Sequence, residues 1–169
     1  MATLTGVPVE EYLATSFEDG DREYVDGTLV ERNVGEKPHS KTQKRLILFF
    51  GPLERTARIF AFPEQRVQVS PTRFRIPDVC VYIDEEPADD VFRTPPFLAI
   101  EILSRDDKAS GMQEKIDDYL NFGVPFVWVI DPRTRRGYVH TRDGSREARD
   151  GVLRTANPTI EVPLEKLFE

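Results

Sequence analysis

Cysteine is nearly absent: Cys80 is the only one in 169 residues. A single thiol excludes an internal disulfide framework and fits a reducing compartment. Histidine is scarce as well, at two residues, and no Cys/His pair has zinc-site spacing. The sequence also lacks H-E-x-x-H, G-x-x-x-x-G-K and G-x-G-x-x-G, so it carries no zinc-protease, P-loop or dinucleotide signature. No apolar run approaches the roughly 20 residues that a membrane-spanning helix needs. The opening MATLTGVPVEEYL lacks the basic-then-apolar shape of a signal peptide. A cytoplasmic protein with no membrane contact is expected. Positive charge is in deficit, with 23 Lys and Arg against 30 Asp and Glu, a net charge of −7. That balance argues against a protein that coats nucleic acid electrostatically. It leaves room for a local basic groove. Lys37, Lys41, Lys44 and Arg45 cluster in one stretch, and Arg133, Arg135 and Arg136 in another; each alone reads as a solvated face.

The composition, 39% hydrophobic and 31% charged, is that of a globular protein able to bury a core without covalent staples. There is no internal repeat, low-complexity tract or long linker, so one domain over 1–169 is expected. Pro8, with Glu10 and Glu11 just after it, predicts a short helix over 8–16. In REYVDGTLVER, Asp26-Gly27 is a two-residue hairpin turn. Leu46, Phe49, Phe50, Leu53 and Ala57 recur at helical spacing and predict a helix over 38–57, kinked or divided at Pro52. Short strands follow near 59–62, 65–70 and 73–75. RIPDVCVYID predicts a strand from about Pro77, and PPFLAIEILS a second. Residues 108–122 predict a helix capped by Gly123, and VPFVWVIDP a third apolar strand. The tail reads as strands with a turn at Asp143-Gly144, and a last helix over 163–168. Strands apolar on both faces imply a sheet covered on both sides. Residues 97–131, strand–helix–strand, form a parallel crossover. The fold class is α/β: a mixed central sheet flanked by helices, with an N-terminal hairpin and C-terminal strands added.

Three charges stand in apolar surroundings. Side chains alternate along a strand, so Phe97, Ala99, Glu101 and Leu103 share one face, as do Ile76, Asp78, Cys80 and Tyr82. Burying an unpaired carboxylate costs several kcal/mol, so each acid needs a cation or an opening to water. On the second long helix, Met112, Lys115, Ile116, Tyr119 and Leu120 fall on one face. The crossover packs that face onto the sheet and aims Lys115 at Glu101, and at Asp78 if the two strands are neighbours. Two acids and one lysine leave a surplus negative charge, which a hard divalent cation, Mg²⁺ or Mn²⁺, would neutralise. The plainer reading of each charge is a structural ion pair. Cys80 shares the face of Asp78 and reads as core.

These residues resemble the PD-(D/E)XK nuclease superfamily, with the restriction-endonuclease-like fold: Pro77-Asp78 matches its first motif, and Glu101-Ile102-Leu103 its second. The closer similarity is to the Uma-two endonuclease family. Glu23-Tyr24-Val25-Asp26-Gly27, His39, Pro77-Asp78-Val79 and Pro95-Pro96 leading to Glu101-Ile102-Leu103-Ser104 follow its pattern in order. So do Lys115 with Tyr119, and Gly123-Val124 leading to Trp128 and Asp131-Pro132. The resemblance implies a nuclease-type site. Asp78 and Glu101 would be catalytic metal ligands, with the Ile102 carbonyl as a third, and Mg²⁺ or Mn²⁺ the cofactor. Leu103 stands at the usual lysine position, so that role would pass to Lys115. Glu23 would be an auxiliary acid, and His39 and Lys41 substrate contacts. Gly111 stands where the family commonly has Asp.

The expected function is Mg²⁺-dependent hydrolysis of DNA phosphodiester bonds by an enzyme that pairs as a homodimer. Two alternatives stand beside it. One is a non-catalytic member of the fold that self-associates or binds a partner. The other is a metal-dependent hydrolase of small phosphate esters.

Overall fold

The apolar strands of the middle third do form the centre of a mixed sheet. The structure, a computed structural model, describes residues 6–18, 20–33 and 35–169. In chain order its elements are α1 (Val9–Ala14), β1 (Glu23–Val25), β2 (Thr28–Val30), α2 (Lys37–Phe50), α3 (Leu53–Ala57), β3 (Ile59–Pro63), β4 (Val67–Ser70) and β5 (Arg73–Arg75). There follow β6 (Val79–Ile83), β7 (Leu98–Ile102), α4 (Ala109–Phe122), β8 (Phe126–Asp131), β9 (Arg136–Thr141) and β10 (Gly144–Glu147). The chain closes with β11 (Val152–Arg154), β12 (Glu161–Pro163) and α5 (Glu165–Phe168).

Six strands pair in the order β10-β9-β8-β7-β6-β3. Only β7 and β8 run parallel, joined by α4 as the crossover pattern predicts. Alternation divides the apolar residues into two layers. Val79, Val81, Leu98, Ile100, Ile102, Trp128 and Ile130 pack under Leu46 and Phe50 of α2 and Leu167 of α5. Cys80, Ala99, Val127 and Val129 pack under Met112, Ile116 and Tyr119 of α4. The helices thus cover both faces, which is why the strands are apolar throughout.

A second sheet, ordered β2-β1-β5-β4, holds the hairpin. Val25 pairs with Thr28 across Asp26-Gly27, whose φ values of 49° and 89° suit a type I′ turn. Its strands alternate cleanly. Tyr24, Leu29 and Phe74 pack with Tyr12 of α1, while Glu23, Val25, Thr28, Val30 and Arg75 face a cleft.

Some local expectations shift. The predicted 38–57 helix starts one residue earlier, at Lys37, and divides at Gly51-Pro52 into α2 and α3, the division at Pro52 being the expected one. The strand expected from Pro77 begins at Val79, because residues 76–78 carry the chain from one sheet to the other. Phe97 lies on the α2 side against Phe126, not on the Glu101 face. The regular strand starts only at Leu98, after Pro95-Pro96, so strict alternation does not govern Phe97. The β9–β10 turn is Arg142-Asp143, since Thr141 already pairs with Gly144.

Phe50 is wholly buried and locks the far end of α2 to the sheet. Phe50→Ala should lower unfolding free energy by about 3–5 kcal/mol, measured by urea denaturation.

Candidate active site

Two acids meet where β6 begins and β7 ends. Val79 pairs with Ile100, which sets Asp78 beside the end of β7. Asp78 Oδ2 accepts a hydrogen bond from the Ile102 amide at 2.7 Å. Glu101 is 3% exposed and Asp78 4%. The crossover brings α4 over them: Tyr119 donates to Glu101 Oε1 at 2.6 Å, and Lys115 Nζ lies 3.8 Å from Glu101 Oε2.

The second sheet supplies another wall. Glu23 of β1 and Arg75 of β5 face each other, Arg75 Nη1 donating to Glu23 Oε2 at 3.0 Å. Glu23 Oε1 accepts from the Ile76 amide at 3.0 Å and lies 3.5 Å from Lys115 Nζ. Arg75 Nε reaches Asp118 of α4 at 2.7 Å. Glu23 therefore ties the hairpin sheet to the lysine that also faces Glu101.

The start of α2 and the segment after β2 close the third side. His39 Nε2 lies 3.2 Å from Asp78 Oδ1 and Arg32 Nη2 3.1 Å from the same atom. Gln43, one turn after His39, donates to the Asp78 carbonyl at 2.9 Å. Glu23, Arg32, His39, Arg75, Asp78 and Glu101 line an open cleft of about 430 Å³, with Lys115.

Comparison with known proteins agrees with this architecture. The sequence matches the Uma2 family model, described as "Putative restriction endonuclease", over residues 9–167. The chain belongs to the Uma2 family. The fold is similar to the crystal structure of a "putative nuclease belonging to DUF820" from Anabaena variabilis ATCC 29413. The TM-score is 0.81 at 20% identity, over 96% of this chain and 97% of that one. No curated protein matches the sequence.

In this Uma2 member the charges nearly balance. Glu23, Asp78 and Glu101 face Arg32, Arg75 and Lys115. The surplus negative charge expected from two acids and one lysine is thus partly offset by Arg32 and Arg75, which also pair with Glu64, Glu114 and Asp118. Burial, helped by the Asp78 and Glu23 charges and opposed by Lys115, raises the Glu101 carboxyl to about 7. Burial works against the Lys115 ammonium, but Glu101, Glu23 and Asp78 outweigh it and hold its pKa above the ordinary lysine range. Lys115 is therefore a fixed cation and not a base. His39 behaves alike: burial opposes its charge, and the contact with Asp78 prevails and raises its pKa.

Asp78, Glu101, Ile102, Lys115, Glu23 and His39 all line the cleft. Lys41 does not; on α2 it sits about 200° around the axis from His39. Gly111 lines the cleft with open space where a Cβ would stand. Leu103 packs in the α4-side layer, so a lysine there would enter the core. Cys80 is fully buried in that same layer, where burial raises its thiol pKa. Arg75 carried one readable signal: in Arg73-Phe74-Arg75 the arginines share a face opposite a core phenylalanine. Arg32, beyond the end of β2, carried none.

Two outcomes follow. Arg75 is buried against Glu23, so Arg75→Met removes one partner of a buried ion pair and should cost about 3–5 kcal/mol in urea denaturation. Glu101 ionises near 7 when folded, against 4.5 unperturbed. Between those values the folded state holds the proton that the unfolded state releases, so this group's contribution to stability falls as pH rises. Glu101→Gln should gain stability relative to wild type from pH 4.5 to 7. A flat difference in unfolding free energy across that window would contradict the burial of an ionising Glu101.

Proposed function

We propose that the protein is a divalent-metal-dependent endonuclease that hydrolyses phosphodiester bonds of DNA in this cleft. The observation that carries the reading is the meeting of Asp78 and Glu101 under the Lys115 ammonium, in a Uma2 chain. The donor chemistry suits Mg²⁺ or Mn²⁺. Mg²⁺ keeps several waters and binds through one or two carboxylates rather than a closed protein cage. Asp78 and Glu101 offer two carboxylates, and among the described residues no set of three His, Cys, Asp or Glu side chains could hold a metal alone. Glu101 Oε2 faces Lys115 at 3.8 Å, beyond hydrogen-bond range, and keeps its lone pairs. Asp78 and Glu101 would hold the ion, with the Ile102 carbonyl as a third oxygen. The chemistry it would supply there is Lewis-acid polarisation of a phosphoryl oxygen and activation of water.

The chain's own groups do the rest. Lys115, kept charged, stabilises negative charge developing on the phosphoryl oxygens. Glu23, itself held by Arg75 and the Ile76 amide, fixes where that ammonium sits. Tyr119 holds the Glu101 carboxylate in one orientation. His39 stands at the cleft wall within reach of substrate. The proposal extends to a cytoplasmic homodimer. The outer strand β10, largely exposed, offers an edge that a second copy can cover.

The net charge of −7 favours a second reading, a hydrolase of small phosphate esters, because it repels a long polyanion. Activity on a small phosphodiester but not on DNA would select it.

On a plasmid substrate with Mg²⁺, Asp78→Ala, Glu101→Ala and added EDTA should each abolish cleavage. Equal rates in all conditions would rule out the mechanism. Lys115→Met should lower kcat by about 10²–10³ while Mn²⁺ binding persists.

A further inference from the structure

Asp78 Oδ1 faces two donors at once, Arg32 Nη2 at 3.1 Å and His39 Nε2 at 3.2 Å, while Oδ2 accepts from the Ile102 amide at 2.7 Å. A carboxylate oxygen has two lone-pair sites, so Oδ1 is filled. A divalent cation that binds there displaces one of the two donors. The two donors differ in freedom. His39 is a short side chain in the first turn of α2, and that helix is pinned to Asp78 through Gln43. Arg32 extends from the irregular segment after β2. Its second nitrogen, Nη1, already reaches Glu64 Oε1 at 3.4 Å, and the Glu64 side chain is 54% exposed at the cleft mouth.

From this geometry we infer that Arg32 holds the cation position on Asp78 and passes to the substrate's phosphate when a divalent metal takes Asp78 Oδ1. The inference rests on the metal-site reading above. A metal at Oδ1 repels the guanidinium and removes its stronger partner. Glu64 then keeps Arg32 within the cleft while one edge of its planar fork is free. That fork matches two oxygens of a phosphate, as a lysine ammonium does not. Metal and phosphate sites are thereby completed in order: without metal, Arg32 is tied to Asp78 and the cleft has one donor fewer for DNA.

The test is arginine-specific modification of the full chain with phenylglyoxal, read at Arg32 by peptide mass spectrometry. Mn²⁺ binding is followed in parallel by electron paramagnetic resonance. Adding Mg²⁺ should raise Arg32 modification severalfold, with no rise in Asp78→Asn and none at buried Arg75. With Ca²⁺ in place of Mg²⁺, to keep DNA uncut, a bound duplex oligonucleotide should lower it again. If Mn²⁺ binds and Arg32 reactivity stays unchanged or falls, the hand-over is overturned and the metal site stands. If Arg32 remains reactive with DNA bound by fluorescence anisotropy, its role toward phosphate is overturned. If wild type binds no Mn²⁺, both the hand-over and the metal-site reading fall.

Discussion

Mutual neutralisation of buried charges is the constraint around which this protein is built. Glu23, Asp78 and Glu101 are each nearly or wholly shielded from water. Any one of them alone would cost several kcal/mol to bury as an anion. Their partners come from three separate segments: Arg75 from β5, Lys115 from α4 and Arg32 from beyond β2. The cluster therefore links both sheets and the crossover helix. It forms only where those elements have docked, so the site is also a joint between layers.

The apolar layers explain why the joint falls where it does. Leu46 and Phe50 hold α2 down on one face, and Ile116 and Tyr119 hold α4 on the other. That leaves the end of β7 as the place where the six-stranded sheet, the polar face of the hairpin sheet and the start of α2 meet. Tyr119 belongs to both worlds: its ring lies in the α4-side layer and its hydroxyl orients Glu101. A Tyr119→Phe change preserves the first role and removes the second. Lys115 has the same dual geometry, with its stem along an apolar stripe and its ammonium between two carboxylates.

Sequence reading found the parts of this arrangement that obey local rules. Helical spacing exposed Lys115 within an apolar stripe, and strand alternation marked Glu101 as a buried acid. Asp26-Gly27 fixed the hairpin that presents Glu23. The missed parts depend on pairing between distant segments. Nothing local says that β1 pairs with β5, so the Glu23–Arg75 contact and the neutral balance it creates were not visible. The chain crosses between sheets over 76–78, which also hid that Asp78 precedes its strand and bonds the Ile102 amide instead of following the pleat. Lys41 was grouped with His39 by nearness in sequence, though two residues along a helix turn a side chain to the opposite side.

The near balance of charge also bears on function. A fully neutralised trio would be an inert structural cluster, yet Glu101 Oε2 keeps unshared lone pairs and the cleft above it is open. The most direct measurement is the anomalous difference map of a crystal soaked in MnCl₂. A peak within about 2–2.5 Å of both Asp78 and Glu101 carboxylate oxygens is the expected result. A map with no density between them, while the soaked crystal still diffracts and Lys115 still faces Glu101, would contradict a metal-bearing site and leave the cluster a purely structural joint.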